Sequence, residues 1–401
     1  MKALVFERSI PRIAAARLAG NIAPGLGSRW GALRLIDTDE PTPPAEGWQR
    51  VRPLLSGICG SDLSTVDGHA SAWFEPIVSF PFTPGHEVVG VTNDDVRVVV
   101  EPVLGCAARG ITPPCAPCAG GNLGRCERIA FGHLSPGLQT GYCADTGGGW
   151  GAVLVAHDSQ LHAVPDELSD DAAVMIEPTA CAIHGALAAG DVSGAVVVIL
   201  GAGTLGLCTL AALSRLSLPG TVIIGAKYPE QRAFASELGA TIVVEPNEIR
   251  RAVRRTTHSL VIGDRLTGGA DVVIDCVGSA DSLADALAVV RPRGKIVMVG
   301  MPGEVSIDLT PLWQREIQLV GAYAYGTEGQ RRTFDLAMEL VHDAGLGRLV
   351  SARYPLDRYV DAIEHAATAG RRGGVKVVFD QRRALKGRQR DTSARSTTAA
   401  G

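Results

Sequence analysis

The sequence carries little net charge, and it begins without a long apolar run. Its formal net charge is only −4 over 401 residues, so electrostatics gives no support for a nucleic-acid or membrane partner. The opening run from Met1 to Phe6 is too short for a signal peptide, and it soon meets Glu7 and Arg8. We therefore expect a cytoplasmic protein.

A long uninterrupted apolar segment is also missing. Residues 195–213 are nearly free of charge and long enough to suggest a membrane span. Glycines break this stretch after residue 200, however, which favours a buried strand followed by a helix. No internal repeat of useful length is visible.

The length of the chain predicts more than one domain, because a single core stops growing beyond about 250–300 residues. Residues 1–183 hold short Val-rich runs between Gly and Pro turns, as expected of a β-rich domain. From 184 to 320, strand-like and helical runs alternate, which predicts a doubly wound parallel sheet in an α/β protein. Residues 321–380 return to mixed character, and we expect the basic tail 381–401 to be disordered.

Four of the nine cysteines are clustered in a loop rich in Gly and Pro, at about residues 104–128. They are Cys106, Cys115, Cys118 and Cys126. The CxxC spacing of the middle pair lets two sulfurs from one turn reach the same ion. Four thiolates fill the tetrahedral coordination of zinc and leave no open position, so this site would be structural.

A second potential metal site combines different ligands from two separate turns. Cys59 lies in Gly-Ile-Cys-Gly-Ser-Asp, and His86 and Glu87 follow Gly85 further along the chain. A thiolate, an imidazole and a carboxylate suit a zinc ion that keeps one position open for chemistry. This pattern indicates a catalytic metal.

A dinucleotide fingerprint follows the predicted strand at 195–200. The run is Gly201-Ala202-Gly203-Thr204-Leu205-Gly206, and it opens a helix of small and apolar residues. Gly201 allows the tight turn, Gly203 lets the backbone approach a pyrophosphate, and Gly206 permits close packing of helix on strand. We therefore predict a bound nicotinamide dinucleotide.

The next predicted strand, at 221–225, bears on the choice between NAD and NADP. A carboxylate at its end would hold the ribose hydroxyls of NAD, but this position is Gly225. A carboxylate would repel a 2′-phosphate, whereas Lys227 and Arg232 would attract one. The sequence therefore favours NADP(H) over NAD(H).

Several motifs together resemble the zinc-containing medium-chain dehydrogenase/reductase superfamily, the alcohol and polyol dehydrogenases. In chain order they are the Cys59 and His86 turns, the cysteine loop, Ile176-Glu177-Pro178, the Gly201–Gly206 fingerprint, Asp271–Gly278 with Val277, and Arg315-Glu316-Ile317 before Gly321. The resemblance covers the chain from its start to about residue 380. It implies a GroES-like β-rich catalytic domain, completed by a returning C-terminal segment, with an inserted Rossmann domain.

The resemblance also implies roles for individual residues. Cys59 and His86 look like ligands of the catalytic zinc, and Glu177 occupies the position of the third ligand. Glu87 is an alternate ligand, so the choice between the two carboxylates is open. Ser61 looks like the hydroxyl that relays the alcohol proton outward. Zinc would acidify the bound alcohol, and hydride would pass to the nicotinamide.

The substrate is less well specified than the chemistry. Polyol dehydrogenases carry an arginine shortly after the equivalent of Gly321, but here the run is Ala322-Tyr323-Ala324-Tyr325. Trp73 and Phe74 lie where relatives build the substrate wall. These observations favour an apolar or aromatic alcohol or aldehyde.

Two alternatives remain at this stage. One is a sugar or polyol dehydrogenase of the same superfamily, and the other is a non-catalytic NADPH-binding protein that retains the fold. The relatives are dimers or tetramers, and a dimer is expected here. We expect two zinc ions for each chain.

Overall fold

A computed structural model of the protein describes residues 1–383 and 385. The first part of the chain contains short strands and mostly short helices. They are β1 Lys2–Phe6, α1 Ile10–Ile22, α2 Gly27–Trp30, β2 Leu33–Asp37, β3 Trp48–Gly57, α3 Gly60–Val66, β4 Val88–Thr92, β5 Arg97–Val100, α4 Ala116–Ala119, β6 Leu154–His157, β7 Leu161–Ala163, α5 Asp170–Ala173 and α6 Ile176–Ala188.

The middle part alternates strands with helices, as the sequence predicted. It comprises β8 Val196–Leu200, α7 Thr204–Ala212, β9 Thr221–Gly225, α8 Pro229–Glu237, β10 Ile242–Val244, α9 Ile249–Thr257, β11 Val261–Ile262, β12 Arg265–Leu266, β13 Ala270–Asp275, α10 Ala280–Val289, β14 Val290–Met298, α11 Thr310–Gln314 and β15 Gln318–Gly321. Six of these strands form a parallel sheet in the order β10-β9-β8-β13-β14-β15. This topology confirms the α/β class and the doubly wound sheet.

The last part of the chain returns to the first. It contains β16 Thr327–Glu328, β17 Arg331–Arg332, α12 Thr333–Asp343, β18 Val350–Tyr354, α13 Tyr359–Ala367 and β19 Lys376–Asp380. β18 and β19 join the N-terminal strands in a seven-stranded sheet, ordered β18-β19-β3-β4-β5-β7 with β6 beside β3. β19 pairs antiparallel with β3, so that Val378 lies opposite Gly57.

Residues of both sheets contribute to one large apolar cluster, and each sheet also borders a cluster of its own. α6 and α7 pack in one large apolar cluster with α12, whereas α9 and α10 cover the other face of the parallel sheet. A third cluster lies between the N-terminal strands and α13. Among the described residues, no helix is both long and apolar enough to cross a bilayer. The charge-free stretch at 195–213 forms β8 and α7.

Two residues of the segment that the sequence predicted to be disordered have defined contacts. Gln381 is buried, and its side-chain amide donates to the carbonyls of Gly149 and Gly151. Arg382 forms ion pairs with Asp380 and Asp170. These contacts hold the first two residues of that segment against the first part of the chain. Residue 384 and residues 386–401 lie outside the described part of the chain.

The segment before β2 is anchored by a single buried carboxylate. Asp67 accepts hydrogen bonds from the backbone N–H groups of Gly25 and Gly27, at 2.8 and 2.9 Å. α1 passes close by, because a Cβ at Gly20 would lie 2.8 Å from Cβ of Asp67. The chain between α1 and β2 is thereby fixed beside the end of α3.

We expect Asp67→Ala to destabilise the protein. Each buried N–H left without an acceptor costs about 1–3 kcal/mol. Chemical denaturation should show this loss, whereas Asp39→Ala, at an exposed position, should behave like the parent. Equal midpoints for the two variants would contradict the anchoring role of Asp67.

Candidate active site and metal centres

The first predicted metal turn is built at the end of β3. Cys59 caps the N-terminus of α3, and its N–H donates to the Asp62 carboxylate at 2.9 Å. That carboxylate is fully buried and also lies 3.5 Å from Nδ1 of His86. Asp62 therefore fixes both turns, and the orientation leaves the other imidazole nitrogen of His86 available to a metal.

The structure brings Cys59, His86 and Glu87 together. Their potential ligand atoms all lie within 4.8 Å of one another. Gly57 makes this possible, because a Cβ there would overlap the Glu87 carboxylate. The same strand pair is closed by a 2.8 Å hydrogen bond from the Gly57 N–H to the Glu87 carbonyl. A thiol, an imidazole and a carboxylate in one buried cluster fit a zinc ion.

Glu177 lies in the first turn of α6, buried beside this cluster. Burial raises the pKa of its carboxyl group to about 7, although the nearby His86 opposes the shift. The Cys181 thiol, one helical turn later, donates to Glu177 Oε1 at 3.6 Å. Glu177 is outside the group of three that meets within 4.8 Å. This geometry places Glu87, the predicted alternate ligand, closer to Cys59 and His86.

Lys376 is a member of the site that the sequence did not reveal. Its ammonium group pairs with the Glu87 carboxylate and donates to the Ile58 carbonyl at 3.2 Å. Burial opposes charge on this amine, but Glu87, Cys59 and Glu177 together raise its pKa. A lysine at the start of strand β19, directly before three apolar residues, was the available signal. The spacing of residues along the sequence could not show that Lys376 pairs with Glu87.

The cysteine loop has the geometry of a tetrahedral metal site. The Sγ atom of Cys106 lies 3.6 Å from that of Cys115 and 3.8 Å from that of Cys126, and the latter two are 3.9 Å apart. Ligands about 2.3 Å from a central zinc would be about 3.8 Å from one another. Cys118 completes the group, and none of the nine cysteines is in a disulfide. The four thiols fit a structural zinc.

The cysteine loop also packs against the segment that follows β15. Thr327 donates to the Gly121 carbonyl at 3.4 Å, and Gly124 packs against Ala324 and Tyr325. Tyr323, in the same segment, is half exposed. Burial of its hydroxyl and the nearby Cys181 and Glu177 raise the pKa of Tyr323. A phenol therefore lies near Glu177, in the segment where the sequence showed no arginine.

The predicted substrate wall is divided between core and surface. Phe74 packs in the cluster of the N-terminal strands, whereas Trp73 is 81% exposed. The His69 ring is hydrogen-bonded to the Asn21 side chain at 3.1 Å and so points toward α1. Ser61 shares the first turn of α3 with Asp62. The aromatic pair thus gives little support to an apolar substrate pocket.

The dinucleotide turn lies between β8 and α7. Gly201 has φ +89°, which favours glycine, and a Cβ there would lie 2.6 Å from the Val277 side chain. The carbonyl of Gly201 closely approaches Gly206, while the space beside Gly203 is open. Thr204 and Leu205 form the first turn of α7. Backbone N–H groups at such a helix start suit a pyrophosphate, so the cradle fits a dinucleotide.

At the end of β9, any side chain at Gly225 would displace the tip of the Ile249 side chain. A Cβ there would lie 2.5 Å from Cδ1 of Ile249. Lys227 is exposed beside it. Arg232 is already engaged, because it donates to the carbonyls of Ala226 and Lys227 and pairs with Glu245 at 3.4 Å. These contacts hold Arg232 against the loop that follows β9, whereas the sequence suggested a cation available to a phosphate.

Comparison with known proteins identifies the family. The model described as "Alcohol dehydrogenase GroES-like domain" matches residues 45–166, and the one described as "Zinc-binding dehydrogenase" matches residues 204–343. The two matches together span about two thirds of the chain. The chain belongs to the zinc-dependent medium-chain dehydrogenase/reductase superfamily and is an oxidoreductase.

Similar proteins act on polyols and sugar acids by name. The chain is 28% identical to L-idonate 5-dehydrogenase of Vitis vinifera, over 82% of this chain and 87% of the relative. It is also 28% identical to sorbitol dehydrogenase of Bacillus subtilis, over 79% and 85%. A Sinorhizobium meliloti protein described as a zinc-binding dehydrogenase and solved with NADP aligns with TM-score 0.65, 26% identity and coverages of 87% and 95%.

We expect Lys376→Met to destabilise the protein by about 3–5 kcal/mol, because Glu87 would be left buried without its counter-charge. The double variant Lys376→Met/Glu87→Gln should recover much of this loss. A double-mutant cycle from chemical denaturation measures the coupling. Lys2→Met, at an exposed lysine, is the control, and a coupling energy near zero would refute the pairing.

Proposed function

We propose that the protein is an NADP(H)-dependent dehydrogenase that oxidises a secondary hydroxyl of a polyol or sugar-derived substrate, or reduces the corresponding ketone. The observation that carries this proposal is the buried cluster of Cys59, His86 and Glu87, beside the helix that bears Glu177. That helix packs along α7, which begins at the dinucleotide turn. Metal and cofactor sites therefore share one structural support.

Each residue has a distinct role in this proposal. Cys59 and His86 would hold the catalytic zinc with Glu87, and Glu177 would exchange with Glu87 or act on a bound water. Asp62 orients the imidazole, while Lys376 balances the charge on Glu87. A bound zinc acidifies an alcohol, and a bound nicotinamide accepts its hydride.

The proton and the substrate hydroxyls would be handled by neighbouring side chains. Ser61 would pass the alcohol proton away from the buried site. Tyr323 would offer its hydroxyl to the substrate in place of the arginine of polyol enzymes. The four clustered cysteines would hold a second, structural zinc.

The substrate class follows from the relatives and the wall residues together. L-idonate and sorbitol dehydrogenases favour the sugar or polyol alternative over the apolar or aromatic alcohol that the sequence suggested. The core position of Phe74 and the exposure of Trp73 remove the main argument for an aromatic pocket. Because the run Ala322–Tyr325 after Gly321 holds no arginine, we expect a substrate shorter or less polar than a hexitol.

NADP(H) preference is supported by the missing carboxylate at Gly225 and the exposed Lys227. A homodimer also remains a prediction. Its support is β15, which lies at the edge of the parallel sheet beside the exposed Leu309 and Trp313.

A substrate screen with both cofactors tests the proposal. We expect activity with short polyols and their ketones to exceed that with benzyl-type alcohols, and kcat/KM to be at least tenfold higher with NADP than with NAD. Cys59→Ala should abolish turnover without unfolding the protein and should lower the zinc content by one ion for each chain. Near-normal rates in Cys59→Ala would contradict the catalytic assignment.

A further variant distinguishes the substrate role of Tyr323 from a structural one. Tyr323→Phe should raise KM for the polyol several-fold and leave KM for NADP(H) unchanged. Tyr359→Phe, on α13, is the matched control. An unchanged KM for the polyol would remove Tyr323 from the substrate site.

A further inference from the structure

We infer that Arg371 and Arg372 form the second half of the site for the 2′-phosphate of NADP(H), opposite Lys227. They belong to the turn Ala369–Arg372 that precedes β19, on the returning C-terminal segment. The cofactor would then be bound by residues of the parallel-sheet part and by residues of the returning C-terminal segment. This inference rests on the proposed preference for NADP(H).

The turn lies directly against the start of α8. A Cβ at Gly370 would overlap the ring of Tyr228 and would lie 3.0 Å from the side-chain nitrogen of Gln231. At the other end of the turn, a Cβ at Gly373 would lie 3.3 Å from a carboxylate oxygen of Glu230. The two arginines lie between these two contacts along the chain.

Lys227 approaches the same tyrosine ring. Its ammonium nitrogen lies 5.9 Å from the centroid of the Tyr228 ring. Gly370 packs on the Tyr228 ring, and the Cα atom of Arg371 is only about 3.8 Å from that of Gly370. The backbone of Arg371 therefore lies next to this contact. Lys227 and the turn that carries Arg371 and Arg372 thus contact the same aromatic side chain from two segments.

These two arginines are available in a way that Arg232 is not. Both are exposed, and within the described part of the chain neither has a carboxylate within ion-pair distance. Arg232, in contrast, is bound to Glu245 and to two loop carbonyls. Arg372 also faces His365, whose pKa is lowered by burial and by that guanidinium.

The chemistry of a phosphate monoester suits this group of cations. Guanidinium groups bind phosphate oxygens with two parallel hydrogen bonds, and lysine adds a compact charge. Glu230 stands at the far end of the turn and would repel a ligand placed there. The 2′-phosphate is therefore expected nearer Arg371 and Lys227 than Gly373. NAD lacks this group, so the cluster would discriminate between the two cofactors.

Direct ligand binding tests the inference independently of turnover. Calorimetry would compare 2′,5′-ADP with 5′-AMP, which differ only in the 2′-phosphate. We expect the parent protein to bind 2′,5′-ADP more tightly. Arg371→Ala/Arg372→Ala should lose at least tenfold in affinity for 2′,5′-ADP, equal to about 1.4 kcal/mol, and less than twofold for 5′-AMP.

Two controls make the outcomes separable. Arg215→Ala removes an exposed arginine just before β9, at the opposite end of that strand from Gly225, and should change neither affinity. The variant Arg371→Lys/Arg372→Lys keeps both positive charges. It should therefore retain part of the preference for 2′,5′-ADP that the double alanine variant loses.

The possible failures also have different meanings. A parent protein that binds 2′,5′-ADP no better than 5′-AMP would overturn the NADP(H) proposal itself. A parent that prefers 2′,5′-ADP, with a double alanine variant that keeps the full preference, would overturn only the role of Arg371 and Arg372. Equal loss of both ligands would likewise overturn that role, because it would show that the arginines do not read the 2′-phosphate.

Discussion

Burial of several ionisable groups at one point is the constraint on which this structure depends. Glu87 meets the Cys59 thiol and the His86 ring, and the carboxyl groups of Asp62 and Glu177 are buried in the same region. Charges removed from water are costly unless they are paired. Lys376 offsets one carboxylate, and a divalent cation would offset the thiolate and its partners. The surrounding fold holds these groups together despite their mutual repulsion.

The C-terminal return explains how that balance is achieved. β19 pairs with β3, so Lys376 reaches the turn that carries Cys59 from the neighbouring strand. The few residues before β19 contact the start of α8, beside the loop that follows β9. One short segment therefore contributes to the metal site at one end and approaches the cofactor site at the other.

The sequence predicted the parts of the site that are encoded locally. Cys59, His86 and the four clustered cysteines lie in turns with recognisable spacing, and alternating strands and helices predicted the parallel sheet. The role of Lys376 was missed, because its partner Glu87 is distant in sequence and only the pairing of β19 with β3 brings them together. The contacts of Arg232 with Glu245 and two carbonyls were likewise not visible in the sequence. The apolar substrate preference failed because the sequence could not show that Phe74 faces the core.

The most direct test of the central claim is a crystal structure of the metal-replete protein with anomalous data collected at the zinc edge. The account predicts two strong peaks for each chain. One should lie about 2.3 Å from Sγ of Cys59 and about 2.0–2.2 Å from His86 and a carboxylate, and the other should lie at the centre of the four clustered cysteines. A peak only within the cysteine loop, with Cys59 and His86 turned away from each other, would contradict it.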